Sequence, residues 1–188
     1  MVRIGPFAPY ASLAGVSSPR LTETSYIVLG LLELAEPATP YDLKQLAQLS
    51  TSNFWSVPHT QLYSECARLA IEGLLDERQE QTGRRRRIYR LTARGRKALD
   101  AWRSEPATDL YELRDAATLK LFFGADPDGL AEAQLKAHRQ RLKQYEQMRA
   151  QLSEAPRGQL LALECGIGHE REFIRFWSRI AGAEASHH

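Results

Sequence analysis

Two adjoining stretches decide the fold: Leu62-Tyr-Ser-Glu-Cys-Ala-Arg-Leu-Ala-Ile-Glu-Gly-Leu-Leu75 and Gln81-Thr-Gly-Arg-Arg-Arg-Arg-Ile-Tyr-Arg-Leu-Thr92. In the first, Leu62, Cys66 and Leu69 recur at helical spacing, and Gly73 ends the run. Around the second, residues 74–80 and 87–91 alternate as strands joined at Gln81–Arg84, where Gly83 can supply the positive φ of a turn. A helix followed by a hairpin with a basic tip suits a duplex. The helix fits the major groove, and the hairpin lies along the phosphates or the minor groove. From Arg84 to Arg103 the only acid is Asp100.

Upstream, the spacing predicts a largely buried helix over Ser25–Leu34, capped by Thr22 or Thr24. Glu36-Pro-Ala-Thr-Pro40 ends it. Thr39 is then a natural cap and Pro40 a natural first residue for a second helix, which runs to about Leu49 with Leu43, Leu46 and Ala47 inward. Ser50–Asn53 is a turn, and the third helix starts near Ser56–Pro58. After the hairpin, Thr92 caps a helix over Ala93–Trp102. The order helix, helix, helix, hairpin, helix is a winged helix-turn-helix, assigned to residues 21–104.

Beyond Ser104–Asp109 everything reads helical, so residues 110–181 form a second, all-helical domain and the fold class is mainly α. A short helix is expected over Leu113–Phe123. Asp126-Pro127 opens a long one to about Leu152, and Pro156 starts the last. On the long helix Leu135, His138, Leu142, Tyr145 and Leu152 fall at alternating steps of three and four, with Met148 beside them. That spacing fits a self-associating helix, or one packed within its own domain.

The 188 residues are 43% hydrophobic and 26% charged with a net charge of +2, so the argument for nucleic acid rests on local clustering rather than bulk charge. Cys66 and Cys165 lack metal spacing and read as small core residues suited to a reducing cytosol. Residues 1–20 are broken by Gly5, Pro6, Pro9 and Gly15, which predicts a flexible extension rather than a leader; residues 182–188 read as a flexible tail. No apolar run reaches membrane-spanning length, and a cytoplasmic location is expected. No metal site, cofactor loop or catalytic constellation stands out.

The candidate DNA contacts are Tyr41, then His59, Thr60, Gln61, Tyr63, Ser64 and Arg68 on the third helix, then Arg84, Arg85, Arg86, Arg87 and Tyr89 on the hairpin. Gln can pair bidentately with adenine and Arg with guanine, whereas Tyr63 suits a phosphate or partial packing. The plain alternative is a solvated helix face and a soluble loop. Strand alternation places Arg84 and Arg86 on one side of the hairpin and Arg85 and Arg87 on the other, so only some touch DNA at once.

An ordered set of short matches runs through the chain: Leu29-Gly-Leu-Leu32, Tyr41-Asp-Leu-Lys44, Phe54-Trp-Ser56, Leu62-Tyr63, Glu72-Gly-Leu74, Arg86-Arg-Ile-Tyr-Arg-Leu-Thr92 and Gly95-Arg-Lys-Ala-Leu99. In that set, and in Thr118-Leu-Lys-Leu-Phe-Phe123 with the closing helix, the chain resembles the PadR family of bacterial transcriptional regulators, in the branch with a larger C-terminal helical domain. Departures fall at Pro40, Ser64, Cys66 and Arg85, where the family often has Gly, Pro, Leu and Pro; Ser64 and Arg85 lie where DNA would be. The resemblance implies a homodimeric repressor on a roughly palindromic operator, with the 135–152 stripe across the dimer interface. It also implies a small aromatic effector, for which His169, Phe173 and Trp177, four residues apart on one helix side, are candidates; the alternative for Phe173 and Trp177 is ordinary core. A winged-helix module that binds protein and never reads sequence is the rival reading.

Overall fold

Thr22 opens α1 (Glu23–Ala35), its N–H donating to Ser25 Oγ at 2.8 Å. The computed structural model describes residues 20–81, 85–108, 110–152 and 154–184. The expectations for residues 1–19, Gly83, Arg84 and residues 185–188 lie outside them. The chain divides into two compact units, residues 1–108 and 109–188.

In the first unit, Thr39 caps α2 (Pro40–Leu49) reciprocally. Its hydroxyl accepts from Asp42 N–H at 3.3 Å, and the Asp42 carboxylate accepts Thr39 N–H at 2.9 Å. A 3-10 turn, Thr51–Asn53, leads to α3 (His59–Ile71), which ends at Gly73 with a φ of +72°. β1 (Leu75–Gln79) pairs antiparallel with β2 (Arg87–Leu91), Leu75 opposite Leu91 and Gln79 opposite Arg87. β2 also makes a bridge on its other edge, between Tyr89 and Ala38. α4 (Ala93–Ser104) is capped by Thr92, which accepts Gly95 N–H at 3.0 Å. The helix start lies so close to the hairpin that a Cβ on Gly95 would sit 2.2 Å from the Leu74 carbonyl oxygen. Val28, Leu29, Leu43, Leu62, Leu69 and Leu99 close the core between these elements. Cys66 is among them as expected, and burial pushes its thiol up to about 12.

The second unit holds α5 (Ala116–Phe122), α6 (Pro127–Gln151) and α7 (Arg157–Glu184). α6 and α7 run antiparallel: Leu135 clusters with Trp177, His138 meets Glu170, Glu146 meets Arg171 and Arg149 meets Glu164. α5 starts at Ala116, not near Leu113 as expected. The Asp115 carboxylate accepts the N–H groups of Ala117 and Thr118 at 3.2 and 2.8 Å, which fixes the helix start and leaves residues 110–114 outside it. Cys165 is a second correction. It is exposed, because it lies two residues, about 200° of helix turn, from the buried Ile167.

Candidate nucleic-acid interface

α3 separates cleanly into two sides. Leu62, Cys66 and Leu69 are buried, whereas His59, Thr60, Gln61, Tyr63 and Ser64 are exposed. The core fixes the helix and leaves the amide of Gln61 and the ring of His59 available to an outside partner. The Ser64 hydroxyl donates back to the carbonyls of Thr60 and Gln61 at 3.0 and 3.1 Å, which leaves its oxygen free to accept. On α2, Tyr41 is exposed with Lys44 Nζ 5.9 Å from its ring centre. Phe54 and Trp55, just before α3, are also exposed aromatics. In the sequence their only signal is the Phe54-Trp-Ser56 match.

Arg68 departs from the expected role. Its guanidinium donates to Glu65 at 2.9 and 2.5 Å, to Glu72 at 2.7 Å and to Ser25 Oγ at 3.0 Å. Those acids hold it protonated and turned back toward α1, so it fixes α3 in place rather than projecting toward a base. Tyr89 is likewise corrected. Its ring is buried in the core and its hydroxyl donates to Glu77 at 2.9 Å. Burial and the Glu77 bond raise its pKa to about 12, and no face of the ring is open to DNA.

Arg86 and Arg87 are less free than the sequence implies. Arg86 forks onto Glu80, Nε at 3.0 Å and Nη2 at 2.9 Å, and Arg87 Nε lies 3.5 Å from Glu77. The pairing ladder begins with Gln79 opposite Arg87, and just beyond it the Glu80 N–H donates to the Arg86 carbonyl at 2.9 Å. Alternation stops at Arg85, which has a φ of +50°; its carbonyl accepts from the Gln79 side chain at 3.3 Å. Among the described residues, Arg85 alone of these three has no acidic partner. The sequence reading missed Glu77 and Glu80. The signal was present, since acids on one strand of an antiparallel pair face the arginines of the other.

Much of the basic run beyond the hairpin is also engaged within the unit. Arg94 donates to the Glu72 carbonyl at 2.9 Å, Arg96 pairs with Glu36, and Arg103 meets Glu33 at 2.7 Å. The Glu36 carboxylate also accepts Leu91 N–H at 2.8 Å, tying β2 to the end of α1. Burial raises its pKa, but the bonds to Arg96 and Leu91 outweigh that and hold it below the usual carboxylate range.

In the second unit the coiled-coil stripe packs against α7 of the same chain. Leu135 joins Trp177 in the core, and Phe173 lies flat on His138 at 4.7 Å between ring centres. His138 Nδ1 lies 2.6 Å from Glu170 Oε2, and Tyr145 fills the space beside Gly166. Leu142 is half-buried and Leu152 is exposed. Leu135, His138 and Tyr145 are therefore not a free dimer surface. The three effector candidates do not form an open pocket either. Trp177 is fully buried, Phe173 is covered on one face by His138, and only His169 is exposed, beside Tyr111. Among the described residues no three His, Cys, Asp or Glu side chains gather as a metal site. No helix among them is long and apolar enough to cross a membrane.

Residues 28–101, the winged helix itself, match the model of the Transcriptional regulator PadR-like family. Over that unit the chain is similar to the PadR-like family. Residues 113–183 match a second family model, Virulence activator alpha C-term, which corresponds to the larger helical domain of one branch. Among curated proteins, the Negative transcriptional regulator PadR of Bacillus subtilis is 31% identical over 102 residues, 52% of this chain and 54% of the relative. The chain thus aligns with about half the length of that relative. Among solved structures, Bacillus subtilis PadR in complex with operator DNA superposes with a TM-score of 0.74 at 24% identity, covering 85% of this chain and 97% of that one. The same protein in complex with p-coumaric acid gives 0.70 at 23% identity, covering 85% and 96%. At these identities the superpositions establish a common fold.

Proposed function

We propose that this chain is a cytoplasmic, homodimeric transcriptional repressor that binds a roughly palindromic operator, with α3 in the major groove and the wing on the flanking phosphates. The carrying observation is the exposed polar side of α3, His59 to Ser64, held rigidly by a core in the same unit as the arginine-tipped hairpin. Gln61 is the base-reading residue we favour; Tyr41, Tyr63 and Arg85 suit phosphates. Repression follows the negative regulator named above, and a small aromatic acid as releasing ligand follows the relative solved with p-coumaric acid.

Two-fold symmetry needs a surface for the second copy. With the α6 stripe turned inward, the support comes from residues 110–123. Leu110, Phe122 and Phe123 are 95, 82 and 77% exposed, and Leu113 and Leu119 are also exposed. So many large exposed apolar side chains within one short segment mark a surface suited to a partner. The nearby Arg114 is neutralised by Glu112 at 2.8 Å, so the segment can face its own copy with little like-charge repulsion.

The test is selection from a random DNA pool, followed by binding of the selected and scrambled sites at several salt concentrations. An enriched palindromic site bound with roughly 10³-fold or greater preference supports the reading. Equal affinity for both sites, or none for either, would instead make the winged helix a protein-binding module.

A further inference from the structure

We propose that Glu80 is a built-in competitor for DNA phosphate, holding Arg86 of the wing in the free protein and yielding it when a duplex binds. This rests on the DNA-binding reading of the wing. The competition is geometric. Two parallel N–H···O bonds, at 3.0 and 2.9 Å, join the guanidinium to both carboxylate oxygens. That fork is how arginine takes a phosphate, so the carboxylate occupies the position the phosphate would fill. Glu80 cannot drift from its post, because its own N–H donates to the Arg86 carbonyl at 2.9 Å. The pair lies at the surface, with the Arg86 side chain 63% exposed, where a phosphate can reach it.

Glu77 and Glu80 differ in a telling way. Glu77 lies against Arg87 but also accepts the hydroxyl of the buried Tyr89, so the core has a use for it. Among the described contacts, the Glu80 carboxylate bonds only Arg86. An exposed ion pair of this kind adds little to stability. Its effect is on what Arg86 can do next. A duplex exchanges one anion for another at this residue and leaves Glu80 beside its phosphates, repelled and ready to recruit a cation. Backbone binding is therefore weaker, and releases fewer net counterions, than the arginine run alone would dictate. Glu80 damps attraction to any DNA and leaves recognition to α3.

The experiment is a double-mutant cycle on the full chain, read by fluorescence anisotropy with a random-sequence duplex between about 50 and 200 mM salt. Glu80→Gln should raise affinity at least about threefold and steepen the log–log salt dependence by up to about 0.9 per protomer. In an Arg86→Ala background the same substitution should lose most of that gain, because no held arginine remains to be released. Thermal unfolding of Glu80→Gln should match the wild type. An unchanged affinity and slope overturns the proposal, and so does an equal gain with and without Arg86, which would be general repulsion. If the wild type shows no salt-dependent affinity at all, the DNA reading fails together with it. If the wild type binds and Glu80→Gln changes nothing, only the competitor role fails.

Discussion

Arg68 reaches out of α3 to Ser25 on α1, its Nη2 donating to that buried hydroxyl at 3.0 Å, while Ser25 Oγ donates to Glu65 at 2.5 Å. One guanidinium thus satisfies a largely buried carboxylate and locks α3 to the first helix. Arg68→Ala removes it from both partners. The expected loss is about 1–3 kcal/mol of stability in urea unfolding, with the base preference of selected DNA unchanged. Unaltered stability with relaxed preference at one base position would return Arg68 to the DNA face.

Asp42 couples the start of α2 to pH. The bonds from the Thr39 backbone and then its hydroxyl hold the Asp42 carboxyl below the usual aspartate range. A depressed folded pKa contributes stability in full well above the unfolded value of about 3.9, and that contribution is lost as pH falls through the folded value. Asp42→Asn should therefore cost roughly 0.5–1 kcal/mol near pH 7 and clearly less near pH 2. Urea midpoints at the two pH values check it; a gap of equal size at both would contradict the assignment.

Gly95 admits no side chain. Its Cβ would meet the Leu74 carbonyl oxygen at 2.2 Å, and backbone cannot swing aside as a side chain can. Gly95→Ala should cost at least roughly 3 kcal/mol, at or beyond the upper end of overpacking effects. Gly158, with open space around it, is the control and should change little on substitution by alanine. A mild Gly95→Ala in thermal unfolding would mean that α4 can slide away from the hairpin.

Trp177 is fully buried, and its indole Nε1 has no hydrogen-bond partner among the described residues. Trp177→Phe gives up volume but also removes a stranded donor, so it should cost under about 1.5 kcal/mol. Trp177→Ala should cost roughly 3–5 kcal/mol. Calorimetry on both variants separates a packing role from a polar one. Equal losses would show that the N–H does have a partner.

Phe122 and Phe123 test the surface proposed for the second copy. Replacing both with serine leaves Ala117 and Leu121, which face the unit's own core, untouched. Sedimentation should show a folded monomer with greatly weakened operator binding. A mutant that stays dimeric moves the interface elsewhere, and a wild type that sediments as a monomer removes the homodimer altogether.

How much of this was legible from the residues varied with the distance of the partner. The winged helix read well because its cues are local: Thr39 with Pro40, the spacing of Leu62, Cys66 and Leu69, and Gly73. The burial of Tyr89 is legible from alternation, since Arg87, Tyr89 and Leu91 share a strand face and Leu91 is core. Arg68 was harder: Glu65 and Glu72 are visible three and four residues away, but Ser25 belongs to another helix. The α6 stripe marks the longest limit. Heptad spacing states that a helix will bury one side and is silent about whose helix covers it; here it is α7.

The small bridge between Ala38 and Tyr89 has a consequence for solubility. Ala38 occupies one edge of β2 and β1 occupies the other, so β1 carries the outer edge of the hairpin. Such an edge is a template for a foreign strand. After Leu75, however, it reads Asp76, Glu77, Arg78, Gln79 and Glu80, with no apolar side chain among them. A chain trying to add there would have to bury those charges, so this edge resists pairing into aggregates.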